Sequence, residues 1–123
     1  MAAALQTRLL SSLTKVFADE DLQDAAYRRG SCLRGEVFSF QLAYRSASML
    51  RDLQVEVNSD LQRYIQLRTV GLVPGEFHGA QVDDHVLRTT PGLFPDPLYP
   101  AEERLPVPPV QWRSIWVTVR VPT

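Results

Sequence analysis

The sequence predicts an all-β domain: an antiparallel β-sandwich of the immunoglobulin-like or jelly-roll-like kind, with one long proline-rich loop. Three observations lead there. Apolar residues recur with period two in several segments, the spacing of half-buried strands. No strong amphipathic helical period appears between Arg34 and Thr123, which removes the crossover helices a parallel sheet needs. Ser, Asp and Gly punctuate the gaps between the alternating runs.

Taken in chain order, residues 1–10 hold helix formers but no capping residue, so a strand is expected to begin within residues 5–12. In residues 13–18, Leu13, Lys15 and Phe17 alternate with Thr14, Val16 and Ala18, a further candidate strand. Residues 19–29 are polar and are expected to be a solvated loop. The clearest strand is 36–45, with Phe38, Phe40, Leu42 and Tyr44 on one face and Val37, Ser39, Gln41, Ala43 and Arg45 on the other. Leu53, Val55 and Val57 alternate with Gln54, Glu56 and Asn58, predicting another. One short helical turn fits residues 59–64, capped by Ser59 or Asp60. Residues 65–73 form a strand that is expected to stop at a Pro74-Gly75 turn. Ile115, Val117, Val119 and Val121 alternate with Ser114, Trp116, Thr118 and Arg120 in the last one. Seven of the nine prolines fall in residues 91–109. Proline cannot donate to a sheet ladder, so this stretch is expected to be loop. A loop of that length in a small domain points to function or an interface.

The chain has 123 residues and a mass of 13.9 kDa. A chain of that size forms one domain and buries about two-thirds of its unfolded surface. A (β/α)8 barrel, at about 250 residues, does not fit. Hydrophobic residues make up 45% and charged residues 22%, a globular composition. Thirteen basic residues balance fourteen acidic ones, net −1, which argues against nucleic acid or an anionic membrane as partner. Twelve of the basic residues are Arg and one is Lys15, a bias that fits bidentate carboxylate pairing or stacking but is expected to reflect base composition. The N-terminus lacks the basic-then-apolar layout of a signal peptide, and no apolar run is long enough to span a membrane. The expectation is a cytoplasmic protein. Cys32 is the single cysteine. It excludes an internal disulfide and a cysteine-based zinc cluster, and is expected to be a partly buried, inert thiol at a strand start.

Chemistry-bearing constellations are sparse. Glu76, His78, Asp83, Asp84 and His85 cluster in sequence but lack the His-Glu-x-x-His spacing of a metal site. They are expected to be solvated loop residues, so no metal and no cofactor is assigned. Asp83 and Asp84, if extended, point to opposite faces and cannot flank one bond. Asp96 could approach either after folding. Neither a Gly-x-Ser-x-Gly elbow nor a glycine-rich phosphate loop occurs. Trp112, Trp116, Phe94, Phe77 and Tyr99 could stack on sugar rings. Trp116 falls opposite the 115–121 apolar row and is therefore expected to face solvent, another domain or a partner.

Four motifs in order carry a resemblance: Ser12-Leu13-Thr14-Lys15-Val16-Phe17; Arg34-Gly35-Glu36-Val37-Phe38-Ser39-Phe40-Gln41-Leu42; Pro91-Gly92-Leu93-Phe94-Pro95-Asp96-Pro97-Leu98; and Trp112-Arg113-Ser114-Ile115-Trp116-Val117-Thr118-Val119. Together they resemble the N-terminal β-sandwich of glycoside hydrolase family 123 and its uncharacterised relatives, over about residues 11–122. The resemblance implies a sandwich that precedes a (β/α)8 barrel. In that family the barrel carries an exo-acting, substrate-assisted removal of β-linked N-acetylgalactosamine, and it also holds the orienting Asp and the general-acid Glu. No catalytic residue therefore transfers to this chain, which is expected not to be an enzyme by itself. Glu36 and Gln41 are expected to serve the hydrogen bonding of the ladder. Phe94, Asp96, Tyr99, Arg88 and Trp116 are the candidate barrel-interface or substrate-rim residues.

The implied partner is a C-terminal catalytic barrel of the same polypeptide. Two alternatives remain: a carbohydrate-binding module using its exposed Trp or Tyr, and an interaction module that dimerises through an open sheet edge. The chain stops just after a strong strand, where the resemblance implies a short turn and another strand. On that ground it is expected to be a piece of a longer protein, with its last strand an unpaired edge.

Overall fold

A computed structural model describes residues 5–75, 88, 91–102 and 104–123. Among them lie seven strands: β1 (Leu5–Ser11), β2 (Val37–Ser46), β3 (Leu50–Leu53), β4 (Ile65–Gly75), β5 (Gly92–Pro100), β6 (Leu105–Val107) and β7 (Arg113–Arg120). Five form one antiparallel sheet in the order β1-β2-β7-β4-β5, while β3 and β6 form a second, two-stranded antiparallel sheet. The fold is all-β and sandwich-like, with no barrel closure. Among the described residues, no helix is long and apolar enough to cross a membrane.

The alternation in β2 and β7 becomes one shared face through register. Phe38 pairs with Val119, Phe40 with Val117 and Leu42 with Ile115. From β4, Ile65 and Leu67 oppose Val119 and Val117 in turn. Period two thus delivers all these side chains to the same side. There they pack against Leu105 and Val107 of β6 and Leu50 and Leu53 of β3, with Ile115 and Val107 completely buried. This is the main core. At about 25 cal/mol per Å2 of apolar surface removed from water, it is the dominant favourable term in folding.

The other face is covered too, by chain rather than by a sheet. Leu10, Val16, Ala43 and Trp112 form a second buried cluster, with Leu22 packed against it. Segment 12–24 is pinned across this face by polar contacts. Trp112 N–H donates to Ala18 O at 3.1 Å. The Arg8 guanidinium on β1 donates to Asp24 O at 2.9 Å, and the Thr14 hydroxyl bonds the Asp24 carboxylate. The buried Gln41 amide donates to Ser11 O at 3.1 Å and Thr14 O at 2.6 Å, and its oxygen accepts from the Ser114 hydroxyl at 3.2 Å. Gln41 therefore holds the turn that leaves β1, rather than the ladder. Glu36 likewise serves a turn: its carboxylate accepts the Leu33 N–H at 2.8 Å beside Gly35, whose φ of +81° suits a residue without a Cβ.

Several expectations are corrected. Residues 13–18 are not a strand. The chain turns after Ser11, with Thr14 N–H on Ser11 O, and then buries Val16, Phe17 and Ala18 in an extended path. Of the alternating stretch 53–58 only Leu53 belongs to β3, whose partner β6 is only three residues long. Val55 still packs against the core, so its alternation reported facing and not pairing. Pro74-Gly75 is no turn: both residues end β4, opposite Leu93 and Gly92. The helical turn is a single 3-10 turn, Gln62–Tyr64, without a side-chain cap, although Ser59 Oγ accepts the Leu61 N–H just before it. Cys32 is exposed rather than partly buried.

Two corrections bear on function. The last strand, β7, is not an edge but the centre of the sheet, paired with β2 and β4. Among the described residues, the free edges belong to β1 and β5. In addition, the proline-rich stretch is not a loop. It supplies β5 and β6.

Candidate functional site

β5 carries three of the five candidate residues, Phe94, Asp96 and Tyr99. It contains Pro95, Pro97 and Pro100, yet it pairs with β4 from Gly92 to Pro100. An edge strand makes this tolerable, since only one of its flanks must supply ladder hydrogen bonds. The register also shifts: Val70 pairs with Leu98 and Leu72 with Pro95, so Asp96 and Pro97 together face the single Gly71. Such a bulge puts one extra residue on β5 and re-aims the side chains around it. Gly71 is required here by close approach, because a Cβ on it would lie 2.5 Å from the Tyr99 ring and 3.1 Å from the Pro97 ring.

The five residues singled out from the sequence fall into three places. Arg88 and Phe94 meet. The Arg88 guanidinium sits 4.0 Å from the Phe17 ring centre and 5.6 Å from that of Phe94. It also pairs with Asp19 at 2.7 Å and Glu20 at 2.8 Å, while its own side chain is only 7% exposed. Phe17 and Phe94 touch edge to face at 5.9 Å. The hydrogen bond from Arg88 holds Asp19 below its ordinary carboxylate value. Burial pulls on Arg88 in the opposite sense, but its two carboxylate partners outweigh this and raise it. The arrangement is a cation clamped between rings and carboxylates, joining β5 to the segment after Val16. It leaves the guanidinium committed to this chain's own groups.

Asp96 and Trp116 also come together. With Lys15, Gln41 and Leu98 they line a small cleft of about 140 Å3 on the face that bears segment 12–16. Trp116, expected to face solvent, another domain or a partner, is half-buried in the wall of this cleft. Tyr99 lies apart from both groups. The residue is 55% exposed and borders a larger cleft, about 390 Å3, with Tyr44, Thr69, Glu102 and Arg113.

Of the other residues considered for stacking, Trp112 is the one that lies inside the fold. Trp112 is buried in the second cluster, with no hydrogen-bond partner for its indole nitrogen among the described residues. Phe77 lies outside the described residues, as do Glu76, His78, Asp83, Asp84 and His85. Among the described residues, no group of three or more His, Cys, Asp or Glu side chains could hold a metal ion. Sequence inspection passed over Tyr44 and Arg113 as site residues. Tyr44 looked like core from its place in the 38–44 row, and its register partner Arg113 shows only once β2 and β7 are aligned. Burial raises the Tyr44 phenol above its ordinary value, against the opposing effect of the Arg113 charge, so at neutral pH it is a neutral hydroxyl.

Compared with protein-family models and with curated proteins, the chain gives no match.

Proposed function

We propose that this chain is a non-catalytic accessory β-sandwich of a glycoside-hydrolase-like protein, which packs on a C-terminal catalytic barrel and forms one rim of its sugar site. The observation that carries this reading is β5. Its prolines stiffen it, its bulge turns Asp96 outward, and among the described residues no strand lies beside its second flank. A preformed edge of this kind loses little entropy when a neighbouring domain closes on it. The resemblance of the four sequence motifs to the family 123 sandwich supplies the identity of that neighbour. The parent activity would then be release of β-linked N-acetylgalactosamine.

The test begins with the reading frame downstream of Thr123. A barrel-sized segment is expected, and a stop codon directly after Thr123 overturns the proposal. With the longer protein in hand, Asp96→Ala is expected to raise KM for an aryl N-acetyl-β-galactosaminide. The 123-residue chain alone is expected to release no sugar from it.

A further inference from the structure

The cleft beside Tyr99 has features that the packing role does not require. Both sheets line it: the hollow of about 390 Å3 has Tyr99 of β5 and Tyr44 of β2 in its wall together with Leu105 and Pro106 of β6. That volume falls in the range of small-molecule sites, roughly 300–1,000 Å3.

We propose that this hollow binds an uncharged pyranose, which lays an apolar ring face on Tyr99 and presents its hydroxyls to Tyr44, Arg113 and Glu102. Tyr99 is more than half exposed, an unusual state for a large aromatic, yet it is held in place. It lies against the bare backbone of Gly71, on the same bulge that carries Pro97. A ring fixed in advance loses little on stacking, and sugar C–H faces pack on such rings.

Tyr44 adds a second observation. Only 4% of the residue is exposed, and its hydroxyl has no hydrogen-bond partner among the described residues. The oxygen is not sealed off, and Tyr44 is one of the residues that line the hollow. A nearly buried hydroxyl facing a cleft is a group that a ligand can satisfy, as donor or as acceptor. The charges then select the ligand. Arg113 and Glu102 both line the hollow and cancel. An anion would meet the Glu102 carboxylate and a cation the Arg113 guanidinium, whereas hydroxyl groups can donate to the one and accept from the other.

This site does not depend on the packing role. That role fails if no catalytic domain follows in the reading frame, whereas the hollow is tested on the chain itself. Proton–nitrogen correlation spectra would be recorded while methyl β-D-galactopyranoside, methyl β-D-glucopyranoside or methyl N-acetyl-β-D-galactosaminide is added, with glucose 6-phosphate as the charged probe. Saturable shifts at the amides of Thr69, Gly71, Tyr99 and Arg113 are expected for at least one neutral glycoside, with a dissociation constant of about a millimolar. Tyr44→Phe keeps the ring in the core and removes only the hydroxyl, so binding is expected to weaken roughly fivefold. Tyr99→Ala removes the platform at an exposed position and is expected to weaken it more than about tenfold. The proposal is overturned if no neutral glycoside gives a saturable shift, if glucose 6-phosphate binds more tightly than methyl β-D-glucopyranoside, or if both variants bind like the unmodified chain.

Discussion

β7 and β5 are strands of similar length in the same sheet, and they obey different rules. β7 has a partner on each flank and a covered face on each side. Seven of its eight residues are at least half-buried, and its sequence alternates Ile115, Val117 and Val119 with Ser114, Trp116 and Thr118. β5 has one partner, three internal or terminal prolines and a bulge. Its sequence reads as a loop. The difference shows that apolar alternation reports burial, whereas pairing at an edge needs only a neighbour and one row of hydrogen bonds. It also shows where function can reside. The centre fixes the register, and the edge can carry bulges and exposed rings without unfolding the sheet.

Mutations can break this contrast or sharpen it. The largest effect is expected at the centre. Ile115 is completely buried between two paired strands, and Ile115→Ala is expected to cost about 2–5 kcal/mol of unfolding free energy in urea titration. A cost as small as that of an exposed β5 substitution would break the contrast. Next comes Gln41→Leu, where β2 supports the turn after β1. The leucine leaves Ser11 O, Thr14 O and the Ser114 hydroxyl without their partner, so a loss of about 1–3 kcal/mol is expected in the same titration.

A smaller loss is expected at the clamp that ties β5 down. Arg88→Leu removes a guanidinium stacked on Phe17, but it leaves Asp19 and Glu20 in contact with water. The cost is about 1 kcal/mol, mostly from the ring contact. The pH dependence separates the two parts. The folded pKa of Asp19 lies below its ordinary value of 3.8. Its contribution is therefore fully present above that value and disappears as the pH falls through the lower folded one. Acid unfolding followed by circular dichroism is expected to show this limb in the unmodified protein and to lose it in Arg88→Leu. The smallest effect is at Cys32, which is exposed outside both clusters. Cys32→Ser is expected to change stability by less than about 0.5 kcal/mol, and a thiol reagent is expected to titrate the native protein at once.

The sheet core was readable in the residues. The 38–44, 65–69 and 115–121 rows share a face, as their alternation required. The site was not readable to the same degree. Phe94, Asp96 and Tyr99 stood out through their odd surroundings, but the bulge that separates Asp96 from Tyr99 depends on register with Gly71, which no local pattern encodes. Tyr44 and Arg113 meet across 69 positions of chain, so only the β2–β7 alignment reveals them as a pair. The mistaken free edge at β7 has the same origin. A strand's place in the sheet is set by long-range pairing, not by its place in the sequence.

The central claim is that the proline-rich segment is an ordered, bulged strand on the edge of the main sheet. Nuclear Overhauser contacts between β4 and β5 test it most directly. The account predicts cross-strand backbone contacts for Val70 with Leu98 and for Val73 with Phe94, separated by a break at Gly71 where Asp96 and Pro97 bulge. Random-coil chemical shifts from Phe94 to Tyr99, with none of those contacts, would contradict it.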